Sequence, residues 1–332
     1  MEALYLHAPH QAPAVRDIPA PLPGPGQVRI RVVAAGICGS DTHIVHGANP
    51  AARFPLILGH EIAGVVEKAG SEEDQGLIGM PVAVNFLITC GTCRQCAAQR
   101  SSLCQRREGL GIVHHGGLAE YVVVPTRNII PIPDGVPFDH AAIATDAYAT
   151  PWHAIRKSGI SAGEGCLLNG AGGLGLAAVQ LLSALGVGPI AVVDPRPEAR
   201  KAAVDAGADN VSAKVSELQD PPLLPHIFDF VGISETISSL LELLPAGGQL
   251  SVVGLGGPMT VQMDNSLVRD EKTVTGSYAF TDEDISYVLQ KMAEGKLNPD
   301  QAIGRTISLG EAPAALDPAG PERGYGRTVV RM

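Results

Sequence analysis

Gly170-Ala171-Gly172-Gly173-Leu174-Gly175 follows the apolar run Cys166-Leu167-Leu168, and Asp194, at the end of Ile190-Ala191-Val192-Val193, comes about twenty positions later. Glycines spaced Gly-x-Gly-x-x-Gly let a chain turn tightly, approach a pyrophosphate and pack a helix against the preceding strand, with the helix N-terminus facing the anion. In a chain with 39 glycines the spacing alone says little. Its setting says more: a strand-like run precedes it, Leu174, Ala178, Leu181, Leu182 and Leu185 mark one face of a following helix, and Asp194 stands where a ribose hydroxyl needs an acceptor. The stretch reads as a dinucleotide-binding turn made by Gly170, Gly172, Gly173, Leu174 and Gly175.

Working outward, strands are expected at 166–169, at 190–193 and near 228–231, 250–253 and 274–278, and helices at 173–185, at 197–206 and through Ile285, Val288, Leu289 and Met292. Strands alternating with helices predict a doubly wound parallel sheet, an α/β domain. The N-terminal half has another texture. Pro19, Pro21, Pro23 and Pro25 keep the chain extended, Val28, Ile30 and Val32 alternate with polar residues, and the short β-branched runs 62–67 and 82–84 are broken by glycines, as in a small barrel-like β domain. The tail from Ala302 to Met332 is again β-rich and is expected to return to that first domain. The predicted boundaries are 1–148, 149–280 and 281–332.

The 332 residues suit two domains, and 45% hydrophobic against 17% charged residues describes a globular chain with large cores. A formal net charge of −10 without a Lys/Arg run argues against nucleic acid and anionic membrane as partners and for a small-molecule ligand. The N-terminus shows no basic and apolar leader pattern, and no apolar run is long enough to span a bilayer, so a cytoplasmic protein is expected.

Of six cysteines, Cys90, Cys93, Cys96 and Cys104 are spaced Cys-x2-Cys-x2-Cys-x7-Cys. Two-residue gaps let thiolates converge on one ion, and four of them close a tetrahedral zinc shell; an iron-sulfur cluster is the main alternative metal. A closed shell is structural, so chemistry must be sought elsewhere. Cys38 and His60 are a thiolate and an imidazole near two different β segments, and each reads equally well as a buried structural residue.

Taken together, Gly36-Ile37-Cys38-Gly39-Ser40-Asp41, Leu58-Gly59-His60-Glu61-Ile62-Ala63-Gly64, the four-cysteine lobe and the glycine turn at 170–175 resemble, in order and spacing, the zinc-dependent medium-chain alcohol dehydrogenases. The resemblance covers nearly the whole chain. It implies a GroES-like β-barrel catalytic domain with a structural-zinc lobe at about 88–108, joined to a Rossmann domain. It also implies two zinc ions per subunit, a catalytic one on Cys38, His60 and a third ligand in the helix before the nucleotide-binding domain. Many relatives have cysteine at that position. Here Ala144-Thr145-Asp146-Ala147-Tyr148 offers Asp146, as in the secondary-alcohol branch, and a carboxylate is an accepted zinc ligand.

The chemistry implied is hydride transfer between a zinc-bound alkoxide and nicotinamide, interconverting alcohols, secondary ones favoured, with ketones or aldehydes. Ser40 and His43 are implied as a proton relay and Glu61 as a carboxylate beside the zinc. Asp194 would accept bonds from both ribose hydroxyls and repel a 2′-phosphate, which favours NAD; Arg196, two residues on, is the feature that suits NADP. Val231 and Val253 fall at strand ends that line such a crevice, and Arg327 matches loosely a tail arginine that contacts pyrophosphate. Phe54, Phe86 and Ile112 lie near the motifs as candidate apolar pocket walls, and His114-His115 reads as a surface loop. A polyol or sugar dehydrogenase is the nearest alternative, and an NAD-binding redox sensor without turnover is the alternative of another class. The resemblance further implies a homo-oligomer, a dimer or tetramer, joined through the last strand of the parallel sheet.

Overall fold

In the computed structural model, which describes residues 1–218, 224–260, 265–317 and 325–332, the alternation of Val28, Ile30 and Val32 becomes the strand Gln27–Ile37 with those three side chains buried. It is the axis of the first unit. Glu61–Ala69 pairs with it antiparallel on one side and Arg327–Arg331 on the other, and Tyr121–Pro125 joins its N-terminal half. The sheet continues through Pro81–Val84 to Ile129–Pro131 at one end, and through Ile303–Ser308 at the other. The tail is thus part of this sheet; the stretch 318–324 within it lies outside the described residues. A second sheet of Ala14–Asp17, Glu2–Leu6 and Leu56–Ile57 was not read from sequence.

The second unit holds six parallel strands in the order Asn210–Ser212, Ile190–Val193, Cys166–Asn169, His226–Asp229, Gln249–Val252, Thr273–Gly276. Leu167, Ala191, Val193, Ile227 and Leu250 pack on Ile237, Leu240 and Leu244. The fourth strand begins at His226 and ends at Asp229, not at 231. The Asp229 carboxylate accepts the N–H groups of Val231 and Gly232 and so turns the chain out of the sheet. Helix Gly173–Ala184 is buried all round from Gly175 to Leu182, not on one face. Part of the reason is that Asn298, in the stretch Lys296–Ala302 that clusters with this unit, donates its N–H to Gln180 Oε1.

By contact the chain divides into Met1–Ala149 with Phe280–Gly295 and Ile303–Met332, and Thr150–Ala279 with Lys296–Ala302. Among the described residues no helix is long and apolar enough to cross a membrane.

Candidate functional site

Strand Gln27–Ile37 delivers Cys38 to the start of helix Gly39–Val45, and His60 and Glu61 stand at the start of strand Glu61–Ala69. Register sets Gly36 opposite Glu61. Asp146 arrives from a third direction, in a π-helical turn, Ala144–Tyr148, that follows helix Phe138–Ile143. Such turns add a residue to the helical repeat, re-aim one side chain, and recur at functional sites. Ligand atoms of Cys38, His60, Glu61 and Asp146 all lie within 4.8 Å of one another, and all four residues are buried. Cys38 Sγ donates to Asp146 Oδ2 at 3.3 Å, and His60 Nε2 is 3.5 Å from the same oxygen.

A residue that sequence reading left without a role completes the frame. Asp41 is fully buried; its Oδ2 accepts the Cys38 N–H at 2.8 Å and its Oδ1 the Gly59 N–H at 3.2 Å, tying together the two loops that carry the ligands. Asp41 Oδ1 also lies 3.7 Å from His60 Nδ1, beyond hydrogen-bond reach but at ion-pair distance, so a buried carboxylate flanks the side of the ring away from the cluster, which Nε2 faces. The signal was present: Asp41 is the third residue of a helix that Cys38 caps, where a carboxylate reaches back to the cap N–H.

The donor set fits a divalent cation. A thiolate and one carboxylate balance two positive charges, and neutral imidazole adds a third donor type. Both carboxylate oxygens of Glu61 are buried and accept no hydrogen bond, although Arg327 Nη2 stands 2.8 Å from Oε1. Arg327 Nη2 also donates to Asp146 Oδ2 at 3.1 Å. Burial pushes the Glu61 carboxyl well up against the opposing pull of Arg327, while the Cys38 thiol, which burial would raise, is brought down on balance by the Arg327 guanidinium. His60 is raised well above the ordinary imidazole value: burial works against this, and Asp41 and Asp146 override it. Arg327 reaches the cluster because Thr328 is paired with Ile37, which sets Arg327 beside Cys38. In this structure its guanidinium is engaged by carboxylates of the cluster.

The cysteine lobe is a second such group. All four thiols are free of disulfides, and the sulfurs of Cys93 and Cys96, and of Cys90 and Cys104, are 3.5 Å apart, with Cys93 to Cys104 at 3.9 Å and Cys90 to Cys96 at 4.0 Å. A tetrahedron with metal–sulfur bonds of about 2.3 Å has edges of about 3.8 Å, so these sulfurs suit one ion and stand too close for a multi-iron cluster. The Thr92 and Cys93 N–H groups aimed at Cys90 lower its thiol to about 5, against its burial.

In the second unit the glycine turn joins strand Cys166–Asn169 to helix Gly173–Ala184, with Gly172 at the cap. A Cβ at Gly175 would meet the Gly170 carbonyl at 1.9 Å, which is why the third glycine is needed. Asp194 Oδ2 accepts the Ala171 N–H at 2.8 Å, fixing the turn to the next strand end. Arg196 wraps back onto it, Nε to Oδ1 at 3.0 Å and Nη2 to Oδ2 at 2.9 Å. Val231 and Val253 are half-buried just beyond the fourth and fifth strands. Elsewhere in the first unit, Ser40 is half-buried and His43 exposed on helix Gly39–Val45. The Phe86 ring lies 5.1 Å from that of His60 and 5.6 Å from Phe280; Ile112 packs over Gly109 instead. His114 pairs with Glu108 at the surface.

Residues 24–134 match the alcohol dehydrogenase GroES-like domain, and residues 173–294 match the zinc-binding dehydrogenase domain. The chain is 31% identical to L-galactonate-5-dehydrogenase of Escherichia coli over 291 residues, 85% of each protein. The chain belongs to the zinc-dependent medium-chain dehydrogenase family. It is therefore an oxidoreductase with a GroES-like domain and a Rossmann domain.

Solved members of this family share the whole fold. A zinc-binding-dehydrogenase-type protein of Sinorhizobium meliloti bound to NADP superposes with a TM-score of 0.92 at 30% identity, covering 100% of this chain and 99% of that one. Acetophenone reductase of Geotrichum candidum, in complex with NAD, gives 0.90 at 29% identity, covering 100% and 97%. Small-molecule substrates and nicotinamide dinucleotides thus fit the family.

Proposed function

We propose that this dehydrogenase interconverts alcohols, secondary ones above all, with ketones or aldehydes, using zinc and NAD. The convergence of Cys38, His60 and Asp146 on one point, braced by Asp41, carries the reading. Zinc there supplies the Lewis acidity that eases loss of an alcohol proton or polarises a carbonyl, and NAD supplies the hydride acceptor. The chain's own residues do the rest. Cys38, His60 and Asp146 hold the ion, with Glu61 a buried carboxylate beside it. Asp41 ties the two loops that carry Cys38 and His60, and Ser40 and His43 pass the proton from the buried site to the exposed face of their helix.

The Phe86 ring against His60 and the buried Phe280 behind it give that side an apolar wall, which favours a simple ketone or secondary alcohol. Gly170 to Gly175 hold the pyrophosphate, Asp194 the adenosine ribose, and Val231 and Val253 line the same crevice. The four-cysteine lobe holds a structural zinc. The relationship to L-galactonate-5-dehydrogenase supports a second reading, oxidation of a polyol or sugar acid. We assign the protein to the cytoplasm and to a homo-oligomer, dimer or tetramer; the edge strand Thr273–Gly276 and the exposed Val268 support an interface there.

The test is a spectrophotometric screen of secondary alcohols, ketones, polyols and sugar acids with NAD and NADP, run beside Asp146→Ala and His60→Ala. Turnover of secondary alcohols with NAD, abolished in both variants, is expected. Full activity in both variants would end the zinc reading; turnover confined to polyols or sugar acids would replace the substrate, and none at all would favour the sensor.

A further inference from the structure

One residue, through its carboxylate and its carbonyl, ties together three segments at the carboxyl ends of the parallel strands. Asp229 is wholly buried at the end of strand His226–Asp229. Its Oδ1 accepts Asn169 Nδ2 at 2.7 Å and the Val231 N–H at 3.2 Å, and its Oδ2 accepts the Gly232 N–H at 2.9 Å. Its carbonyl accepts the N–H groups of Val253 at 2.8 Å and Gly254 at 3.0 Å. Asn169 faces Asp229 in register and is the residue before Gly170, and its own carbonyl takes the Phe230 N–H at 2.9 Å. A charged group is expensive to bury, and here donors surround it. What those donors share is position: they belong to the glycine turn's strand and to the next turn along the sheet.

The sheet order gives this a direction. Asp194 stands at the end of Ile190–Val193, on one side of strand Cys166–Asn169, and Asp229 stands on the other side. A dinucleotide with its pyrophosphate on Gly170–Gly175 and its adenosine on Asp194 extends its nicotinamide half toward the Asp229 side. We propose that Asn169 and Asp229 form a positioning pair for the nicotinamide half of the cofactor: their hydrogen bond sets the Val231–Gly232 turn against the Gly170 turn, leaving the adenosine half to Asp194. This rests on the cofactor reading above.

The full-length protein is titrated with NADH by fluorescence and with ADP by calorimetry. Asp229→Asn replaces one accepting oxygen by an amide N–H, set either against the Gly232 N–H or against the Val231 N–H and the Asn169 amide, and is expected to weaken NADH by about tenfold while ADP stays within about twofold. The exchanged pair, Asn169→Asp with Asp229→Asn, restores the side-chain bond in the opposite sense but leaves an amide N–H where Oδ1 accepted the Val231 N–H, and is expected to recover part of the NADH affinity. Unchanged NADH affinity in Asp229→Asn would overturn the proposal, as would equal losses of NADH and ADP, which mark a general folding role. If Asp229→Asn alone does not fold, the exchanged pair decides: NADH binding that shows no recovery there overturns the pairing. A wild-type protein that binds ADP but not NADH, or neither, overturns the cofactor reading and this inference with it.

Discussion

A Cβ on Gly36 would lie 1.7 Å from Glu61 Oε2 and 2.9 Å from Glu61 Cβ. The two residues face each other across antiparallel strands, so the Glu61 carboxylate turns back over its partner's backbone toward the cluster, and only glycine leaves it room. Gly36→Ala is therefore expected to displace the carboxylate or part the strands, costing about 1 to 3 kcal/mol as other overpacked cores do. Thermal melting checks this, with Gly36→Ala/Glu61→Ala as the control that should recover much of the lost stability. A Gly36→Ala protein melting with the wild type would show that the carboxylate moves at no cost.

On the zinc reading proposed above, Asp41 would act on the ion through His60 and through the two loops it ties. Asp41→Asn keeps the shape, but its single amide oxygen cannot accept both the Cys38 and the Gly59 N–H, and the negative charge beside His60 is lost. Metal affinity at the cluster is expected to fall by about 10- to 100-fold, the range typical when the partner of a ligating histidine is changed. Competition with a zinc chelator, followed by metal content per chain, measures it. The four-cysteine ion should be unaffected.

The parallel sheet was legible because each of its signals is local: glycine spacing, apolar runs and an acidic residue at a fixed offset. Strand ends were less so. Whether the fourth strand stopped at 229 or 231 depended on the Asp229 carboxylate capping two amides, a contact no periodicity encodes. Cys38, His60 and the cysteine lobe were visible as motifs, and Asp146 only through likeness to relatives, since a π-helical turn leaves no composition signal. Arg327 illustrates the remainder. Its place beside Glu61 and Asp146 follows from the pairing of Thr328 with Ile37, a register between residues almost 300 positions apart.

The cysteine lobe separates stability from turnover. Its sulfurs suit a single ion with no open position, so Cys104→Ser, which changes a fully buried ligand, should remove one metal ion per chain and lower the melting temperature. The cluster of Cys38, His60 and Asp146 is expected to keep its own ion. Residual activity per remaining folded molecule is expected to stay within about tenfold of wild type, against complete loss in His60→Ala. Equal metal loss from both sites in Cys104→Ser would mean that the lobe holds the rest of its unit together.

On the proposed reading, cofactor choice would turn on how Asp194 and Arg196 share one space. The Asp194 carboxyl is held below its usual range: burial opposes this, and the Arg196 guanidinium and the Ala171 N–H outweigh it. A negative carboxylate repels a 2′-phosphate, and Asp194→Ser removes that repulsion while leaving the Arg196 guanidinium, which now bonds the carboxylate, beside the space the phosphate would take. Asp194→Ser is therefore expected to weaken NADH and strengthen NADPH, shifting their ratio of affinities by about tenfold or more. Arg196→Ala should leave NADH within about threefold and weaken NADPH further, because it removes the only guanidinium bidentate on that carboxylate among the described residues. Titration of the three proteins with both dinucleotides decides it; an unchanged ratio in Asp194→Ser would mean that the ribose is read elsewhere than at the end of strand Ile190–Val193.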